Sequence, residues 1–112
     1  MRILFVEDNL NTGMAMKVLL ELKGHSIDHV TTVKDAVAKL SSTEYNLLIS
    51  DVTLPDGSGY DIVAHATVPA IALSGYTSGV DMDKAKQAGF KEYLTKPFKT
   101  EELLAAIEKV GA

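Results

Sequence analysis

The sequence has no cysteine among its 112 residues. That excludes a disulfide framework, a thiolate metal site and a cysteine nucleophile; it fits a reducing compartment without requiring one. No apolar stretch approaches the ~18 residues that a membrane-spanning helix needs. The opening Met1-Arg2-Ile3-Leu4-Phe5-Val6 meets carboxylates at Glu7 and Asp8, too soon for the core of a signal peptide. A soluble, cytoplasmic chain is the expectation. Basic residues are few: eleven Lys and Arg face fifteen Asp and Glu, for a net charge of −4. Nucleic-acid-binding modules carry the opposite balance. Also missing are a linker, an internal repeat, a low-complexity segment, a P-loop and a G-x-G-x-x-G motif. What remains is an ordinary globular composition, 46% hydrophobic and 23% charged. The length suits one domain over residues 1–112.

Short apolar runs alternate with segments of helical period. Ile3–Val6 and Leu47–Ile49 are continuously apolar and end on acids, the signature of strands buried on both faces. Ala70–Leu73 reads as another strand, Ser26–Val30 as an edge strand and Glu92–Leu94 as a short last one. Leu10–Lys23 has helix spacing, with Ala15, Met16, Leu19 and Leu22 or Leu20 inward, Met14 also packing, and Gly24 as a stop. Thr32 opens a second helix, with Asp35 placed as in a capping box and Ala36, Val37 and Leu40 inward. Residues 55–59 form a turn, Tyr60 to about Ala66 a short helix, Asp81–Ala88 another, and Thr100 caps a last helix through Val110. Five strands alternating with five helices imply an α/β domain with a parallel sheet covered on both sides.

In such sheets ligands bind beyond the carboxyl ends of the strands, where the strand order reverses. Glu7 and Asp8 end the first strand, Asp51 the third and Ser74 the fourth, while the fifth leads to Lys96. Three carboxylates brought together resist ionising as a group, and a divalent cation relieves that repulsion. Oxygen donors alongside a phosphate suit Mg²⁺. A lysine adds a point charge, and a serine hydroxyl one hydrogen bond to a phosphoryl oxygen. The set describes phosphoryl transfer to a carboxylate nucleophile.

Val6-Glu7-Asp8-Asn9, Asp51-Val52-Thr53-Leu54-Pro55-Asp56-Gly57, Leu73-Ser74-Gly75 and Thr95-Lys96-Pro97-Phe98 together resemble the receiver domain of two-component response regulators and hybrid sensor kinases. The similarity covers essentially the whole chain, with four motifs in order. It implies a flavodoxin-like (βα)5 doubly wound sheet of strand order 2-1-3-4-5. It implies that Asp51 accepts phosphate from a histidine kinase or histidine phosphotransferase, with Mg²⁺ held by Glu7, Asp8, Asp51 and the backbone carbonyl of Thr53. Ser74 matches the switch hydroxyl, Lys96 the phosphoryl-pairing lysine and Tyr93 the switch aromatic. Pro97 is expected to follow a cis peptide bond. The surface of the fourth helix, last strand and last helix is expected to change on phosphorylation and to address a downstream protein or attached domain. No substrate beyond the chain's own aspartate is implied, so the protein is not expected to be an enzyme, nor to bind nucleic acid or membrane. Thr53 and Tyr76 are placed to control hydrolysis of the acyl phosphate.

Two features depart from the family pattern. Asp51 and Ser74 are 23 positions apart, which shortens the third helix and its loop by about two turns. Leu54 stands where many receivers have methionine, a volume-conserving exchange. A haloacid-dehalogenase-type hydrolase would need D-x-D-x-T after the first strand. A mononucleotide binder would need a Ser/Thr/Gly-rich phosphate loop where this chain has acids. A calcium loop fails because Pro55 takes a ligand position and no closing glutamate follows. A docking module without phosphorylation would not need all five side chains. His25, His29 and His65 show no metal spacing and read as surface or edge residues.

Overall fold

Strands whose side chains must be buried on both faces form the middle of the molecule, in a computed structural model that describes residues 1–75 and 79–111. In chain order the elements are β1 (Arg2–Val6), α1 (Leu10–Leu22), β2 (Ser26–Val30), α2 (Val33–Ser42), β3 (Leu47–Asp51), β4 (Thr53–Leu54), β5 (Gly57–Ser58), α3 (Gly59–Val63), β6 (Ala70–Ser74), α4 (Gly79–Ala88), β7 (Glu92–Thr95) and α5 (Thr100–Gly111). Five strands make one parallel sheet in the order β2-β1-β3-β6-β7. With the two-residue ribbon β4–β5 set aside, this is the expected 2-1-3-4-5 order.

Successive strand side chains point to opposite faces, and the core divides accordingly. Ile3, Phe5, Leu47, Ile49, Ile71 and Leu73 pack with Met16 and Leu20 of α1 and with Leu103, Ala106 and Ile107 of α5. Leu4, Val6, Leu48, Ala70 and Ala72 pack on the other side, with Ala36 of α2, Ile62 and Val63 of α3, Ala85 of α4 and Phe90. Every residue of β3 and β6 is buried, so the abbreviated α3 still leaves the fourth sheet strand covered. Leu54, at the methionine position, is buried in that same layer.

Four helices differ from expectation, α4 by beginning at Gly79 rather than Asp81. In α1 only Gly13, Met16 and Leu20 are buried; Ala15, Leu19, Leu22 and Met14 face solvent instead. Leu10, Met14, Val18 and Leu22, spaced by four, are 57–77% exposed. The helix is apolar nearly all round, so its period cannot select the inner face. α3 ends at Val63 rather than Ala66, because the N–H groups of His65 and Ala66 turn back to the carbonyls of Ile62 and Val63 in tighter, three-residue bonds. In α5, Thr100 is the first helical residue rather than the cap before it, and the N–H of Lys99 donates to Glu102 Oε1 at 3.0 Å. Thr32 does cap α2, its hydroxyl accepting from the Asp35 N–H at 3.1 Å, and Asn9 caps α1 through Thr12. No helix among the described residues is long and apolar enough to cross a membrane.

Candidate functional site

β1 and β3 are neighbours at the centre of the sheet, and the chain leaves their carboxyl ends toward opposite faces. Glu7 and Asp8 follow β1, Asp51 ends β3, Ser74 ends β6 and Lys96 follows β7. The sheet therefore brings all five expected side chains to one edge. A cleft of about 250 Å³ there is lined by Asp8, Asp51, Thr53, Leu73, Ser74, Gly75 and Lys96. Glu7, Asp8 and Asp51 each offer a carboxylate oxygen, and these oxygens lie within 4.8 Å of one another. Glu7 and Asp51 are almost fully buried, at 1% and 3% exposure, whereas Asp8 is exposed.

Lys96 Nζ stands 2.8 Å from Glu7 Oε1 and 2.7 Å from Asp51 Oδ1. Burial pushes the Asp51 carboxyl up, the adjoining Glu7 carboxyl adds to this, and Lys96 only partly opposes them, so it is raised to about 8. Burial also works to raise Glu7, but the neighbouring Asp51 carboxyl and the Lys96 ammonium outweigh it and bring Glu7 down to about 2. Physically, the two buried carboxyls form a coupled pair that shares one proton. Lys96 is pulled down by burial, yet the Asp51 and Glu7 carboxyls beside it hold it above the usual lysine value. Among the described residues neither Asp51 oxygen receives a well-directed hydrogen bond, the Lys96 approach being an ion pair off that direction. A hard divalent cation fits this all-oxygen donor set and its underused buried oxygens.

Local sequence explains how the corner is held. Gly59 begins α3 directly against the Asp51 backbone, where a Cβ would lie 2.4 Å from the Asp51 carbonyl oxygen. Only glycine permits that approach. Its N–H donates to the Val52 carbonyl at 2.8 Å. The buried Ser50 hydroxyl donates to the Asp51 carbonyl, also at 2.8 Å. On the far side the Lys96 N–H donates to the Ser74 carbonyl at 2.7 Å, and the Lys96–Pro97 peptide is cis, as expected.

Ser74 is buried at the cleft wall, and Thr53 is exposed at its rim. Tyr93 is half-buried on β7, opposite Ala72 of β6, and packs against the α2–α3–α4 layer. Tyr76 lies outside the described residues. Two contributors were not foreseen. Asp56, read as part of a turn and of the motif after Asp51 but given no role, binds the start of α2 by accepting from the N–H groups of Val33 and Lys34. His29, read as a surface or edge residue with no role at the site, does lie on the edge strand β2, but it is half-buried, with Nε2 2.8 Å from the Glu7 carbonyl. His65 is exposed, and half-buried His25 lies 3.2 Å from the N-terminal amine.

Known proteins show the same arrangement of chain. A family model of the response regulator receiver domain matches residues 3–108. The swarming motility regulation protein RssB of Serratia marcescens is 35% identical over 116 residues, covering 99% of this chain and 53% of that protein. The cell cycle transcriptional regulator CtrA of Caulobacter vibrioides is 30% identical, covering 98% and 50%. The chain thus spans about half the length of both. Among solved structures, a two-component response regulator from Clostridium difficile superposes with a TM-score of 0.91 at 26% identity, covering 97% of this chain and 93% of its own. The receiver domain of a sensor histidine kinase from Pseudomonas aeruginosa PAO1, with magnesium coordinated in its active-site cleft, gives 0.86 at 29% identity, with 97% and 95% covered. A match that runs from the first strand into the last helix makes this chain a member of the response regulator receiver domain family.

Proposed function

We propose that this receiver accepts a phosphoryl group on Asp51 from the phosphohistidine of a histidine kinase or histidine phosphotransferase, with Mg²⁺ in the acidic cluster. The observation that carries the reading is the pairing of Lys96 with both buried carboxyls beside an exposed third one, Asp8. Glu7, Asp8, Asp51 and the Thr53 carbonyl would hold the cation, which supplies charge to displace the shared proton and to neutralise phosphoryl oxygens. Deprotonated Asp51 attacks phosphorus, the P–N bond breaks, and its electron pair stays on the departing imidazole. Lys96, cationic throughout, pairs with a phosphoryl oxygen, and the Ser74 hydroxyl donates to another. Thr53 offers no strong base to activate water, so the acyl phosphate decays slowly.

The modified site then reshapes the surface of α4, β7 and α5. New charge draws Ser74 inward, and Tyr93 on the adjoining strand turns into the space released. Output passes to a downstream protein or an attached domain, in the cytoplasm, without nucleic-acid contact by this acidic domain. The outer face of α1 is the natural seat for the donor. Leu10, Met14, Val18 and Leu22 form an apolar stripe in solvent, and exposed apolar patches mark contact surfaces. The same helix reaches the acidic edge, where Thr12 and Met16 line a cleft with Glu7, Asp8, Lys96 and Phe98.

The test is intact-mass spectrometry after incubation with a small acyl phosphate. One phosphoryl group is expected on the wild type with Mg²⁺, and none with a chelator or on Asp51→Asn. Equal labelling of wild type and Asp51→Asn overturns the assignment. NMR with beryllofluoride and Mg²⁺ then tests the switch. Shifts confined to the neighbourhood of Asp51, with Tyr93 silent, overturn the coupling alone.

A further inference from the structure

We propose that His29 is a positioning residue for the acidic cluster, fixing the main chain at Glu7 from a space that Gly13 leaves open. This rests on the reading of Glu7 as part of the cation-holding group.

β1 and β2 stay in register as far as Val6 and Val30. The ladder's last bond runs from the Glu7 N–H to the Val30 carbonyl at 3.1 Å. Beyond it β2 ends and the chain turns into α2, with Thr32 as cap. The Glu7 carbonyl thus points to a side from which its strand neighbour has departed. His29 Nε2 lies 2.8 Å from that oxygen. A carbonyl oxygen only accepts, so Nε2 carries the hydrogen, and the imidazole takes the place of the missing strand N–H.

The ring is held from two sides. Phe5, its register partner on β1, meets it edge-on at 6.1 Å between centroids. From α1, a Cβ at position 13 would fall 2.0 Å from Cε1 and 2.1 Å from Nε2. Glycine is unfavourable inside a helix; at position 13 its lack of a side chain is what seats the imidazole. Glu7 meanwhile commits Oε1 to Lys96 and Oε2 to the Asn9 N–H. The turn bearing both Glu7 and Asp8 is therefore aimed from three points: Val30, His29 and the Glu7 carboxylate itself. Removing the His29 donor leaves the Glu7 peptide free to rotate, and both carboxylates move with it.

Calorimetric titration with Mn²⁺ and carboxyl ¹³C NMR of Glu7 and Asp51 in metal-free protein test this on the whole chain. His29→Leu is expected to bind Mn²⁺ about tenfold more weakly, in the range typical for loss of an outer partner of a metal site. Gly13→Ala, which keeps the imidazole but evicts it, should reproduce the defect. His29→Gln, which restores an N–H donor, should stay close to wild type. The carboxyl resonances should move in the first two variants and not in the third. Wild-type affinity and resonances in His29→Leu overturn the proposal. So does a glutamine variant as defective as leucine, since that pattern belongs to packing alone. A wild type that binds no divalent cation sinks the phosphoacceptor reading instead, and the carboxyl resonances then decide the role of His29.

Discussion

The carboxylate of Asp56 accepts hydrogen bonds from two consecutive backbone groups of α2, the N–H of Val33 at 2.8 Å and that of Lys34 at 3.1 Å. The first N–H groups of a helix have no partner within it, and here the segment following Asp51 supplies one. An anion also suits the positive end of the helix. One side chain thereby ties the exit of β3 to a different layer of the fold.

Asp56→Ala should accordingly lower the melting temperature by about 4 °C, the shift that loss of a cap of ordinary strength produces. The N–H groups of Val33 and Lys34 hold the Asp56 carboxyl below its usual value of 3.8. Its contribution is therefore present above that pH and is lost as pH falls through the lower, folded value. Thermal melts of wild type and variant should converge in strong acid. A constant gap at every pH would refute the electrostatic part of this account.

The proton shared by Asp51 and Glu7 gives the cation-free protein a pH dependence of the opposite sense. Asp51 rises from 3.8 to about 8 on folding. The folded state therefore holds a proton that the unfolded chain releases, and stability falls as pH climbs from about 4 to about 8. The depressed Glu7 acts in the opposite sense at lower pH, its contribution building as pH rises from about 2 to its ordinary 4.5 and constant above that. Asp51→Asn removes the larger effect. With a chelator present, it should be more stable than wild type at neutral pH and show a flatter profile by denaturant unfolding. Parallel profiles would mean that the pair does not share a proton.

Replacing Met14 and Val18 by glutamate separates docking from chemistry. Both side chains are solvent-exposed, so each change should alter stability by only about 0.5 kcal/mol. Labelling by a small acyl phosphate should proceed at the wild-type rate, while transfer from a phosphohistidine protein should slow at least ~10-fold, as burying two new charges at an interface requires. Equal slowing with both donors would place the defect in the site rather than on the α1 face.

How much of this was legible in the sequence depended on the range of the interaction. The strands could be read because burial on both faces leaves runs such as Ile3–Val6 without polar relief, and their acidic ends marked the site edge. The inner face of α1 could not, since Leu10, Met14, Ala15, Leu19 and Leu22 are as apolar as the residues that pack. The roles of Asp56 and His29 were hidden for another reason. Their backbone partners lie 23 and 22 positions away, and a polar link of that span leaves no local pattern. A glycine inside a helix was the only trace of the His29 seat, and without the fold nothing relates position 13 to position 29.

Lys96 reaches Glu7 across 89 positions, from beyond the last strand to just past the first. A chain that emerges from the ribosome amino end first presents Glu7 and Asp51 well before Lys96 exists. Contacts between such distant segments also carry the largest closure cost. The acidic edge of a partly synthesised or partly folded chain therefore lacks its counter-charge, and its carboxyls remain open to water. Pairing of the two buried carboxyls with Lys96 is bound to arrival of β7. Until β7 joins the sheet, the Glu7 and Asp51 carboxyls face water without the ammonium that accompanies them in the finished fold.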